Sequence, residues 1–168
     1  MRMFRFRSGW AACRVVLLVG TAVFTGSAVG GDAAGTHTVV TFVCEHGAAK
    51  SVLAAALFNQ LALERGVPAR AVSRGIAPST TLQHETVAGL DRDGIRIEQA
   101  APQPVTREDE RASSRVVTID VADEPAFLRT TKLREWDHVP AISQGYAAAR
   151  DDLRRRAANL LDELETRP

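Results

Sequence analysis

Cysteine, lysine and serine fall close together in Cys44-Glu45-His46-Gly47-Ala48-Ala49-Lys50-Ser51, and their spacing fits one chemistry: capture of an anion beside a sulfur nucleophile. Gly47, Ala48 and Ala49 are small enough for backbone N–H groups to turn inward and surround an anion, with Glu45 and His46 completing the loop. A helix starting directly afterwards adds positive partial charge at the same point. The amides of such a loop stabilise the thiolate of Cys44 over the thiol. Ser51 is placed to donate a hydrogen bond to the sulfur, and Lys50 to bring a full positive charge to the anion.

Two other uses of these residues are disfavoured. A nucleotide-binding loop requires G-x-x-x-x-G-K-[ST]. Here Ala49 stands at the inner glycine position and the outer glycine is missing as well. A metal site built from Cys44 and His46 with His37, His84 or His138 lacks both helical i, i+4 and CxxC spacing, so no metal and no cofactor is expected.

The flanking segments read as the elements that hold this loop. Residues 38–43, TVVTFV, are β-branched and aromatic and predict a buried strand. Residues 52–64 are apolar at nearly every position and rich in helix formers, with Gly66 and Pro68 as the stop. A second short strand is predicted over 69–73, a helix over 85–93 stopped by Gly94, and a short extension at 95–97. After Pro102 and Pro104 come a polar helix over 106–112 and a strand over 115–121, RVVTIDV. Residues 144–165 carry an apolar stripe of Tyr146, Ala149, Leu153, Ala157, Leu160, Leu161 and Leu164, and predict a long amphipathic helix. Strands alternating with helices imply an α/β fold, a three-layer sandwich around a parallel sheet of about four strands. Ligands in such folds sit outside the carboxyl ends of strands, where Cys44 falls.

Of the 168 residues, 45% are hydrophobic and 24% charged, a globular composition. The first 30 residues have the order of a secretory signal: basic MRMFRFR, an apolar run over 15–29, then small residues with cleavage sites after Ala28 or Gly30. Export to the periplasm or exterior is therefore expected, with a linker over 31–37 and one domain over 38–168. Arg2, Arg5, Arg7 and Arg14 would leave with the signal, giving 17 basic against 20 acidic residues and a net charge of −3. That balance gives no basic surface for nucleic acid, and no membrane association is expected after cleavage. Cys13 would leave too, so Cys44 would be a single thiol in an oxidising compartment, where cysteines usually pair.

The loop and the segments beyond it resemble the low-molecular-weight protein tyrosine phosphatases and their arsenate reductase relatives. The family's strand followed by C-x5-R-S is matched by C-x5-K-S at Cys44–Ser51. Ser73-Arg74-Gly75 resembles its S-x-G at the end of the second strand, and Val116 to Asp120 its V-[IV]-T-x-D strand. Trp136 to Pro140, followed by Tyr146 and Ala149-Arg150-Asp151, resembles its acid loop and final helix. The resemblance implies a phosphotyrosine phosphatase I-like fold and phosphomonoester hydrolysis through a cysteinyl-phosphate. Cys44 would be the nucleophile, Lys50 and the loop amides the phosphoryl ligands, and Ser51 the partner of the thiolate. Ser73 and residues 45–49 would border the substrate.

Three departures qualify that expectation. Lys50 replaces arginine, exchanging a two-pronged grip for a single compact charge. Gly47 replaces the family's loop asparagine. Val139 precedes Pro140 where the family has aspartate, leaving Asp137, and second His138, as the acid. The activity is therefore expected to be weak. The alternatives are a module that binds phosphate or arsenate without turnover, and a thiol-dependent arsenate reductase-like protein. The thioredoxin-coupled form of the latter needs relay cysteines that the exported chain lacks. The sequence leaves the identity of the phosphate ester or oxyanion, and the oligomeric state, open.

Overall fold

A computed structural model describes residues 38–166; the expected signal segment and linker lie outside the described residues. The chain runs β1 (Thr38–Cys44), α1 (Lys50–Arg65), β2 (Ala69–Gly75), α2 (His84–Arg92), α3 (Arg107–Ala112), β3 (Arg115–Ile119), β4 (Leu133–Trp136) and α4 (Tyr146–Glu165), with single 3-10 turns at Ala126–Leu128 and Ile142–Gln144. All four strands are parallel in the order β2-β1-β3-β4. The expected α/β sheet of about four strands is present.

β1 is central because its residues can be buried on both faces. Val40, Phe42 and Cys44 point to the layer of α1 and α4, where Leu53, Leu57, Phe58, Leu153 and Leu161 are buried with them. Phe42 meets the Phe58 ring edge-on at 5.9 Å and the Trp136 ring at 5.3 Å. Val43 packs on the other face with Val116 and Leu128, under the thinner layer that includes α3 and the first 3-10 turn. Each large apolar side chain so enclosed contributes about 1.5–3 kcal/mol. Every residue from Ser51 to Phe58 is buried, which accounts for the unbroken apolar run of α1. Gly66, in the left-handed conformation (φ 67°), ends that helix.

The structure corrects some boundaries. The 95–97 extension is not a strand, although Ile95 and Ile97 pack against the core. β3 stops at Ile119; Asp120 turns to φ +47° while its N–H still donates to the Trp136 carbonyl at 3.1 Å. α4 starts at Tyr146, after Gly145 at φ +158° separates it from the preceding 3-10 turn. The fourth strand is β4, a half-buried edge segment.

Candidate active site

Cys44 is the last residue of β1, and Lys50 is the first of α1. The five residues between them are shaped by their carbonyls. Those of Cys44, Glu45, His46 and Ala48 accept from the N–H groups of Ile76, Ala77, Ser79 and Gln83 at 3.1, 2.8, 3.0 and 2.9 Å. His46 adds a bond from Nδ1 to the Ala77 carbonyl at 3.3 Å. With the carbonyls tied to residues 76–83, the N–H groups of residues 45–49 have no partner among the described residues. Ala49, the N-cap of α1, has no side-chain cap to offer the first helical turn. A run of unsatisfied donors at a helix N-terminus is an anion site.

The turn depends on two glycines. Gly47 has φ +60°, and a Cβ added to it would lie 2.8 Å from the Gly75 backbone nitrogen. Gly75 sits opposite Cys44 in the β1–β2 register, and a Cβ on it would lie 2.7 Å from the Gly47 nitrogen. Gly75 is itself pinned on its outer side, donating to Gln103 and accepting from Val105. Gly47 is thus the close-approach residue of the loop.

Ser51, fully buried, places Oγ 3.1 Å from Cys44 Sγ, a hydrogen bond in which either group can be the donor. Cys44 is a free cysteine, 6% exposed. Lys50 Nζ pairs with Asp120 Oδ2 and donates to the Val139 carbonyl at 2.9 Å. Asp120 Oδ1 accepts the Val139 N–H at 3.4 Å. The sheet brings these groups together, since β3 and β4 end side by side with Ile119 opposite Trp136.

The structure therefore gathers Cys44, Glu45, His46, Gly47, Ala48, Ala49, Lys50 and Ser51 into one loop and helix start. Asp137 is exposed just beyond β4, and its carbonyl accepts from Arg156. His138, also exposed, has φ +59°. Ser73 lies two residues before Gly75, opposite Phe42 rather than Cys44, and is 2% exposed. Its hydroxyl donates to Gln99, and no hydrogen bond joins it to the loop among the described residues. Asp120 was not singled out from sequence as a site residue. The available signal was an acid closing an otherwise buried strand, RVVTID.

This arrangement sets a cysteine under free loop amides with a serine hydroxyl on its sulfur, a geometry able to receive an oxyanion. The profile of the low molecular weight phosphotyrosine protein phosphatase family matches residues 39–167. The chain belongs to that family. No curated protein matches the sequence. Among solved structures, YfkJ from Bacillus subtilis superimposes with a TM-score of 0.69 at 20% identity, covering 79% of this chain and 97% of that one. An arsenate reductase from Archaeoglobus fulgidus gives 0.59 at 25% identity, over 73% and 98% of the two chains. A low molecular weight protein tyrosine phosphatase from T. tengcongensis gives 0.63 at 19%, over 75% and 99%.

Proposed function

We propose that this protein hydrolyses phosphate monoesters, slowly, through a phosphocysteine at Cys44. The observation that carries the reading is the pairing of Ser51 Oγ with Cys44 Sγ beneath loop amides whose carbonyls are tied away to residues 76–83. The thiolate attacks phosphorus as the bond to the leaving oxygen breaks, and Asp137, in the exposed segment after β4, protonates that oxygen. Water, giving a proton to the Asp137 carboxylate, then attacks phosphorus as the S–P bond breaks, releasing phosphate and restoring both the thiolate and the acid. The amides of residues 45–49 and the remaining Lys50 donor take up the phosphoryl charge. Lysine supplies fewer directed bonds than arginine, and losing one preorganised donor in such sites costs roughly 10²–10³ in rate. The substrate side is bordered by Glu45 and His46, both exposed. The order of the first 30 residues supports export of the mature domain.

A second reading is favoured by one observation. Asp120 and Val139 engage two donors of the Lys50 ammonium, which leaves one to follow the charge of a transferring phosphoryl group, so the loop amides would hold an oxyanion, phosphate or arsenate, without turnover. The similarity to an arsenate reductase supports the same oxyanion class. Hydrolysis of p-nitrophenyl phosphate by the purified protein and by Cys44→Ser, beside anion binding by the same preparations, separates the two. Turnover lost in Cys44→Ser supports the phosphatase, and binding with no turnover in either protein supports capture.

A further inference from the structure

Lys50, Asp120 and Val139 form a closed ring. Lys50 Nζ pairs with Asp120 Oδ2, Asp120 Oδ1 accepts from the Val139 N–H at 3.4 Å, and the Val139 carbonyl returns to Lys50 Nζ at 2.9 Å. The members come from three places in the chain: the first residue of α1, the residue after β3, and the segment that follows β4. The two non-glycine residues with positive φ among the described residues, Asp120 at +47° and His138 at +59°, are both part of it or adjoin it. Unfavourable backbone conformations persist where the surroundings fix them, and they cluster at functional sites. Neither Asp120 nor Lys50 is deeply enclosed, with side chains 29% and 21% exposed, so burial alone does not account for the ring.

We infer that Asp120 is the positioning residue of this site. Its carboxylate holds Lys50 against the segment 137–140 and so joins the anion loop to the segment that carries Asp137. The inference rests on the phosphatase reading of the loop for its kinetic consequences, and on geometry alone for the ring. Two results follow from the chemistry. Asp120 offsets the charge of Lys50, so it weakens anion capture by the loop. It also fixes the placement of the acid segment, so it favours protonation of the leaving group. A residue that only stabilised the fold would not oppose binding while assisting turnover.

The test uses the full chain with Asp120→Asn, Asp120→Ala and Lys50→Met. Asparagine tolerates the left-handed backbone and still offers Oδ1 to the Val139 N–H, while its NH2 group replaces the oxygen that accepted from Lys50, so Asp120→Asn removes the charge and frees the ammonium. Inorganic phosphate is then expected to protect Cys44 from iodoacetamide at several-fold lower concentration than in the wild type. Asp120→Ala is expected to slow phenyl phosphate, a poor leaving group, about tenfold more than p-nitrophenyl phosphate. In Asp120→Ala and in Lys50→Met, which opens the ring from the other side, the Val139 amide should exchange with solvent about tenfold faster or more, with no ligand present. Unchanged Val139 exchange in both variants overturns the assignment. So does phosphate protection in Asp120→Asn that is equal to or weaker than that of the wild type. Amide exchange requires neither phosphate binding nor turnover. A wild type that hydrolyses nothing while Val139 responds would sink the phosphatase reading and leave the ring standing.

Discussion

Gly47 and Gly75 meet backbone to backbone, so closely that a Cβ on either would fall within 2.8 Å of the other's nitrogen. This contact sets the curvature of the loop and the depth at which Cys44 sits beneath its amides. Gly47→Ala must bear both the collision and the left-handed φ of +60°, which alone costs of order 1–3 kcal/mol. We expect a clearly lowered Tm by calorimetry and loss of phosphate protection of Cys44. Gly66→Ala is the control, since its φ is +67° but an added Cβ meets nothing within 4 Å. It should lower Tm less and leave the protection intact. Equal effects of the two variants would mean that the Gly47–Gly75 contact has no part in the site.

The ammonium of Lys50 has three donors and two are already engaged, whereas a guanidinium has five. Lys50→Arg can keep Asp120 and Val139 and still offer a forked pair to an oxyanion. Turnover on p-nitrophenyl phosphate should rise by about tenfold or more, with tighter inhibition by phosphate. Steady-state kinetics with phosphate as inhibitor reads both. A variant that binds phosphate no better and turns over no faster, with Cys44 still reactive, would show a site shaped around lysine for another purpose.

Asp137 is exposed on the segment that the Asp120 ring holds beside the loop. An acid matters most for leaving groups that leave badly without a proton. Asp137→Ala should therefore slow phenyl phosphate by about 10²-fold while p-nitrophenyl phosphate loses far less. A Brønsted plot of rate against leaving-group acidity checks this. The same loss across all leaving groups would transfer the role elsewhere, with His138 next in line.

Much of this was legible in the chain, for reasons that can be named. β1, the loop and α1 are contiguous, and the run from Thr38 to Phe58 carries its burial in its own composition. The polar helix expected over 106–112 is present as α3, and Thr106 and Asp109 form a reciprocal capping box at its start. β4 was not read as a strand, because Arg134 and Glu135 interrupt LREW and only its edge position makes that tolerable. Asp120 was missed as a site residue because its partner Lys50 is 70 residues away, and only the pairing of β1 with β3 brings them together. Gly75 was visible within Ser73-Arg74-Gly75, but sequence drew attention to the serine while the structure presses the glycine against the loop.

The join between α2 and α4 gives a pH dependence. Burial, then the hydrogen bond to Asp93 at 2.8 Å, holds the Tyr146 phenol well above its ordinary value of 10.0. The folded state thus keeps the proton more tightly than the unfolded chain. The contribution is complete below pH 10.0 and is lost as pH rises from there toward the higher folded value. Tyr146→Phe should lose about 1 kcal/mol near neutrality, the ordinary worth of a hydrogen bond, and show a shallower alkaline decline. Denaturant unfolding from pH 7 to 11 checks this, and parallel profiles for the two proteins would contradict it.

The central claim is that Cys44 carries the phosphoryl group. Rapid acid quench of the full chain during turnover of p-nitrophenyl phosphate, followed by mass spectrometry of its peptides, addresses it directly. The account predicts a phosphoryl adduct on the peptide containing Cys44 that forms with the initial release of nitrophenolate and is absent on sulfur-free Cys44→Ala, which should not turn over. Undiminished hydrolysis by Cys44→Ala, or a phosphoryl group found on another residue of the active wild type, would contradict it.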